Sequence, residues 1–226
     1  MPHTLQDTLL DAALDHVPFD GWSETTFRAA LTDTGISRVV ALGLFPRGAV
    51  DLAVAFHKRG DALMLARLAE ADLSQMRFRD KVAFAVRTRL EVIGDKEVVR
   101  RGATLSALPM HATDGAKLIW GTADAIWTAL GDSSRDINWY SKRATLSAVY
   151  SSTVLYWLGD TSPGDEATWA FLDRRIEDVM RFEKVKAQVR ENRFLSTLLA
   201  GPMKLAEHVR APERASDLPG GAQPRR

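Results

Sequence analysis

The chain contains no cysteine. That absence removes disulfides, cysteine-based zinc sites and thiol nucleophiles together, and it fits a reducing compartment. No run of about 18 apolar residues occurs, so no segment reads as a membrane span. The opening, MPHTLQDTLLDAAL, lacks the basic and long apolar parts of a signal peptide. An excess of one charge is missing too: 30 Lys and Arg against 29 Asp and Glu leave +1, which selects no charged partner. Catalytic patterns are also absent. The five histidines, His3, His16, His57, His111 and His208, show neither H-E-x-x-H nor E-x-x-H spacing, so no metal pair and no carboxylate-bridged di-iron site is expected. No G-x-S-x-G, G-x-G-x-x-G or P-loop appears. The acid-rich segment Asp173 to Asp178 interleaves its acids with Arg174 and Arg175, which suits a salt-bridged surface better than an acid/base pair. We therefore expect no catalytic residue, no metal, no cofactor and no enzyme.

What is present is an apolar fraction of 46% over 226 residues, ample for a core and sufficient for one large or two small domains. Helical signals run through the chain in order. Leu5 to His16 is an amphipathic helix, broken at Pro18 to Gly21. Ser23 caps a helix that buries Phe27, Ala30 and Leu31. Thr34–Gly35 turns the chain, Ser37 caps a short helix from Arg38 to Phe45, and Pro46 closes it. Gly48 precedes a long helix through Ala71, with a break or bend expected at Gly60. Helix, helix, glycine turn, short helix is a helix-turn-helix arrangement of the TetR type. Its charges argue against DNA. Over residues 1–60 five bases face seven acids, a net of −2, where a phosphate-binding lobe should be basic. The would-be recognition helix offers Arg38 and almost no other donor for base edges.

Residues 76–93 form the next helix, with Phe78, Val82, Ala85, Val86 and Leu90 inward and Arg79, Lys81, Arg87 and Arg89 read as a solvated face. Lys96 to Leu108 follows, with Val98, Val99, Ala103 and Leu105 as core candidates. Pro109 stops it, Asp114–Gly115 turns, and Lys117 to Leu130 carries Ile119, Trp120, Ile126 and Trp127.

The organising stretch is Asp136 to Lys184. No Gly or Pro lies between Ile137 and Leu158, so a long helix is allowed. Trp139, Leu146, Tyr150 and Trp157 step along one side, and Tyr140, Leu155 and Leu158 widen the apolar cover, as in a buried helix. Ala144, Ser147, Ala148, Ser151 and Ser152 lie between them, where either another helix packs very close or space is left for a guest. Gly159–Asp160 and Ser162–Pro163–Gly164 turn the chain into a second helix, with Trp169, Leu172, Ile176, Val179 and Met180 inward.

The residues NWYSKRATLSAVYSST, followed by SPGDE, TW, FLDRRIEDVM, resemble the C-terminal domain of the coenzyme Q accessory lipid-binding family. That is the family of the ninth coenzyme Q protein of mitochondria and its alphaproteobacterial relatives. The resemblance implies an all-α, TetR-like fold that has lost DNA binding, with an N-terminal helix-turn-helix-type lobe, a C-terminal helical bundle and a homodimer. It implies binding of an isoprenoid quinone intermediate or another lipid, delivered to a di-iron demethoxyquinone hydroxylase. On that reading a lipid pocket draws on Trp120, Ile126, Trp127, Leu146, Tyr150 and Trp157. Asn138, Trp139, Tyr140 and Arg143, which match the family's N-W-Y motif and basic pair, form the partner-binding patch.

Residues 185–210 form an amphipathic helix. Phe194, Leu195, Leu198 and Leu199 fall in one arc of about 140 degrees, with Met203 just outside it. From Arg181 to Arg226 ten bases face five acids, a net of +5. An apolar stripe with basic excess suits an anionic membrane surface, or else the stripe packs on its own domain or a second subunit; the family's last helix implies membrane contact. The expected organisation is a helix-turn-helix-like lobe over 1–60, a ligand-binding and dimerisation bundle over 61–184, the membrane-contacting helix over 185–210 and a disordered tail over 211–226. The expected location is cytoplasmic, peripheral to the inner membrane. The alternative function is a TetR-type transcriptional regulator with a hydrophobic ligand pocket.

Overall fold

The computed structural model describes residues 4–191 and 210–212. Among them the regular structure is wholly helical. Helix α1 (Leu5–Asp20) starts at a reciprocal cap: the Thr4 hydroxyl accepts from the Asp7 N–H, and the Asp7 carboxylate accepts from the Thr4 N–H, each at 3.1 Å. The expected break at Pro18 does not occur. Pro18 sits in the last turn of α1, where its missing N–H costs one bond, and its carbonyl accepts from Arg101 at 2.8 Å. Ser23 and Ser37 cap α2 (Glu24–Thr34) and α3 (Arg38–Leu44) as expected, and Gly35 between them takes the left-handed conformation at φ +67.

Helix α4 (Ala49–Glu70) meets α3 at a bend of 50°. It then runs unbroken through Gly60, which was expected to break or bend it. Glycine is needed there for space: a Cβ would lie 2.5 Å from Nη1 of Arg89. Helix α5 (Phe78–Glu91) brings that arginine, and α6 (Lys96–Ala107) follows. Helix α7 (Ala112–Ala129) begins five residues earlier than the expected Lys117, so Asp114–Gly115 is its first turn and not a loop. Gly115 again marks close approach, since a Cβ would lie 2.8 Å from that of Ser106 on α6. Helix α8 (Ile137–Gly159) is the central helix, and α9 (Glu166–Glu191) returns along it after the turn at Pro163–Asp165.

Two cores result. Leu9, Val17, Trp22, Phe27, Phe45 and Leu52 form the first with Val98 of α6; Met64, Val86, Leu90, Ile126, Leu146, Trp157 and Leu172 form the second. Because α4 supplies Leu52 to one and Met64 to the other, position 60 lies inside a shared rod rather than at a linker.

Candidate functional site

The start of α8 is fixed by Asp136, whose carboxylate accepts from the Asn138 backbone at 3.0 Å and from its side-chain amide at 2.9 Å. One turn on, Trp139 and Tyr140 meet edge-to-face at 4.8 Å, and Trp120 of α7 closes the cluster at 5.9 and 6.4 Å from them. The Tyr140 hydroxyl donates to the Arg210 carbonyl at 3.2 Å, and the Ala211 N–H donates to the Arg135 carbonyl at 3.0 Å. The described piece of the tail therefore lies on this patch.

Arg143 does not belong to the patch's surface, contrary to its expected partner-binding role. It has no exposure at all. Its guanidinium stacks 4.0 Å from the Trp139 ring and donates to Asp124 at 2.5 Å, Asp132 at 2.9 Å and the Trp139 carbonyl at 3.1 Å. It holds Trp139 from beneath. Burial works against the Asp132 carboxylate, but hydrogen bonds from Lys142, Arg143 and Ser134 outweigh it and hold that group far below the usual carboxylate range.

Beside the patch, α5, α8 and α9 enclose an apolar groove of about 200 Å³. Val82, Trp127, Leu146, Val149, Ile176 and Val179 line it, with Asn138, Ser141 and Lys142 at polar positions. Trp127 is oriented by donation from Nε1 to the Lys142 carbonyl at 3.0 Å and by stacking on Phe78 at 5.4 Å. Met180, also in the lining, is 42% exposed and lies on the part of α9 that leads toward residues 185–210.

A second cavity, about 310 Å³, lies between α4, α5, α6, α7 and α8. Its lining includes Trp22, Phe56, Val99, Ala103, Ser151 and Leu155, and it includes a polar group that the sequence reading missed. Arg89, expected on a solvated face, is fully buried. Its Nε donates to Asp61 at 2.6 Å and its Nη2 to the His57 carbonyl at 2.9 Å. Thr122 donates to Asp61 at 2.8 Å and lies 2.8 Å from His57 Nε2. With the hydroxyl proton given to the carboxylate, the imidazole supplies Nε2–H. Burial, and then the Arg89 charge, push the His57 pKa down to about 4. Burial pushes the Tyr150 hydroxyl up. The signal that could have found Arg89 is its register: 82, 86 and 89 share one face of α5, so position 89 belongs to the apolar stripe.

The six residues expected to form one lipid pocket are thus dispersed. Trp127 and Leu146 line the groove and Tyr150 lines the second cavity. Ile126 is solid core. Trp157 is core as well, its Nε1 donating to Asp165 at 2.9 Å with Lys96 over its ring. Trp120 is in the aromatic patch. Of the small residues on α8, Ser151 borders the second cavity, as the guest-space alternative expects, whereas Ala144 and Ala148 are exposed and have no described helix packed on them. Phe194, Leu195, Leu198, Leu199 and Met203 fall outside the described residues.

Residues 112–183 match the family model described as COQ9. The chain is 32% identical over 185 residues to the mitochondrial ubiquinone biosynthesis protein COQ9 of Drosophila melanogaster, covering 80% of this chain and 56% of that protein. It is 32% identical over 194 residues to the COQ9 of Homo sapiens, covering 82% and 61%. The chain thus spans somewhat over half the length of these relatives. In fold it is similar to the crystal structure of a TetR transcriptional regulator from Nitrosomonas europaea, with a TM-score of 0.63, 17% identity, and coverage of 76% of this chain and 96% of that one.

Proposed function

Because the chain belongs to the COQ9 family, we propose that it serves ubiquinone biosynthesis by binding a lipid, an isoprenoid quinone intermediate, and presenting it to a membrane-associated di-iron demethoxyquinone hydroxylase. The reading assigns the chain no bond-making step. The observation that carries it is the apolar groove between α5, α8 and α9, which runs beside the Trp120, Trp139 and Tyr140 cluster through Asn138 and Lys142. A polyprenyl chain leaves the bilayer only for another apolar host. Each methylene buried in the groove contributes about 0.8 kcal/mol, so a few suffice for useful affinity. Next to the groove, two tryptophans and a tyrosine form the kind of rigid aromatic cluster on which protein interfaces anchor. Peripheral contact with an anionic inner-membrane surface would come from residues 185–210. Among the described residues no single helix is long and apolar enough to cross a membrane. A homodimer would have the exposed Ala144 and Ala148 available for close helix contact.

The rival reading, a ligand-responsive regulator, is favoured by the TetR-like fold. Its recognition helix is ill suited to DNA, since Arg38 is paired with Glu24 at 2.7 Å and Val39 is 84% exposed.

The test is native mass spectrometry of the purified chain beside Thr145→Trp, which plugs the groove from α8. A copurified isoprenoid or phospholipid in the wild type, lost in the variant at unchanged helicity, is the expected result. A lipid-free wild type that binds duplex DNA with a steep salt dependence sinks the proposal in favour of the regulator.

A further inference from the structure

Residues 210–212, Arg-Ala-Pro, belong to neither core, yet they are held against the start of α8. The Ala211 N–H donates to the Arg135 carbonyl at 3.0 Å, and the Arg210 carbonyl accepts from the Tyr140 hydroxyl at 3.2 Å. Arg210 and Pro212 are exposed, whereas Ala211 between them is half-buried. The local sequence favours docking. A residue before proline has the helical region closed to it, so Pro212 narrows the conformations open to Ala211 and lowers the entropy lost when the stretch settles. Both groups that receive it are at the aromatic patch. Tyr140 meets Trp139 at 4.8 Å and Trp120 at 6.4 Å, and Arg135 immediately precedes Asp136, the cap of α8. The contact is sparse. One hydrogen bond shifts an equilibrium by a factor of about two to ten, so two of them hold the stretch down without locking it.

We propose that residues 210–212 are a displaceable strap across the Tyr140 edge of the aromatic patch, so that a protein partner anchoring there must first remove the chain's own tail. This deepens the partner reading of the patch given above and rests on it. A partner that buries Tyr140 has to supply an acceptor for its hydroxyl, because a buried phenol left unpaired costs free energy. In the free chain the Arg210 carbonyl fills that place. The strap is part of the same chain, so its local concentration does not fall when the protein is diluted. It therefore lowers partner affinity by a fixed factor, the fraction of molecules in which the patch is open. Two bonds of ordinary strength put that fraction at about one tenth. A guard of this size covers the polar handle of an exposed aromatic cluster until a partner with more contacts arrives, and it yields to that partner.

Two measurements on the full chain test the strap. The first is hydrogen exchange of the Ala211 amide, followed by NMR and compared with a free peptide of residues 206–216. Wild type exchanges at least about fivefold more slowly than the peptide, and Tyr140→Phe, which removes the hydroxyl that holds Arg210, recovers most of the peptide's rate. Exchange in wild type as fast as in the peptide overturns the proposal. The second is calorimetric titration with the purified di-iron hydroxylase. Ala211→Pro deletes the N–H that bonds Arg135 and lies outside both cores. It binds the hydroxylase about five- to tenfold more tightly than wild type. Pro212→Ala keeps both bonds but loosens the stretch, and tightens binding about two- to fivefold. Unchanged affinity in both variants overturns the competition. Weaker binding in both makes residues 210–212 part of the partner's footprint, which overturns it equally. Hydroxylase binding by neither wild type nor variants defeats the partner reading of the patch, and the guarding role falls with it, while copurified lipid still tests the lipid reading by itself.

Discussion

At the scale of the residue, two buried arginines decide the local chemistry. Each is a long cation with no exposure, and each is held by acids and backbone carbonyls: Arg143 by Asp124, Asp132 and the Trp139 carbonyl, Arg89 by Asp61 and the His57 carbonyl. Neither has much net worth as a stabilising pair, because desolvation offsets most of the attraction. Their value is positional, since one seats Trp139 and the other orders the polar wall of a cavity. His57 shares that wall and gives it a pH dependence. Its folded pKa, about 4, lies below the ordinary 6.5, so the unfolded chain binds the proton more tightly. Its contribution to stability is complete above pH 6.5 and is lost as pH falls from there through about 4, on the order of 3 kcal/mol at most. Urea unfolding at pH 7 and pH 4.5 should therefore show a smaller loss in His57→Gln than in wild type. An equal loss in both would remove His57 as the source.

At the scale of the element, glycine has two opposite meanings in these helices. Gly60 and Gly115 sit where α4 meets Arg89 and where α7 meets α6, with no room for a methyl group. Gly121 sits in α7 with open space around it. Gly121→Ala should stabilise by about 0.5–1 kcal/mol, the ordinary helix-interior gain. Gly60→Ala should destabilise by about 1–3 kcal/mol, because the guanidinium that must yield is fixed by Asp61 and His57. Denaturant midpoints of the two variants should move in opposite directions. The same contrast explains what could be read from sequence at this scale. Serine caps at Ser23 and Ser37 were legible because a cap is a local bond between neighbours in sequence. The breaks expected at Pro18 and Gly115, and the break that was one of two expectations at Gly60, do not occur, and contacts from Arg101, Ser106 and Arg89 meet the chain there, from residues 83, 9 and 29 positions away.

At the scale of the whole molecule, the N-terminal lobe and the bundle are one mechanical unit. Helix α4 threads both cores, and α6 lends Val98 to the first while Val99 packs against the second. Damage in the lobe should thus reach the bundle. Phe27→Ala, at a fully buried position of the first core, should cost about 3–5 kcal/mol. It should lower a single calorimetric transition and not split off a separate one. Two resolved transitions in the variant, with the higher at the wild-type temperature, would show that the cores unfold independently. The described tail residues 210–212 add a contact of the same long-range kind, laid on Arg135 and Tyr140.

The sequence alone determined the helical class, the order of the elements, most of their caps and turns, and the membership that residues 136–184 announce. All of these rest on periodicity, capping and motifs, which act between near neighbours along the chain. The tertiary structure decided which side chains share a space. It split six expected pocket residues among a groove, a cavity, a core and a surface patch, withdrew Arg143 from the surface, and turned Arg89 from a solvated charge into the wall of a cavity. The reason is physical: a helix face fixes a direction, but whether that direction ends in solvent, in a packed neighbour or in open volume depends on helices that arrive from elsewhere in the chain.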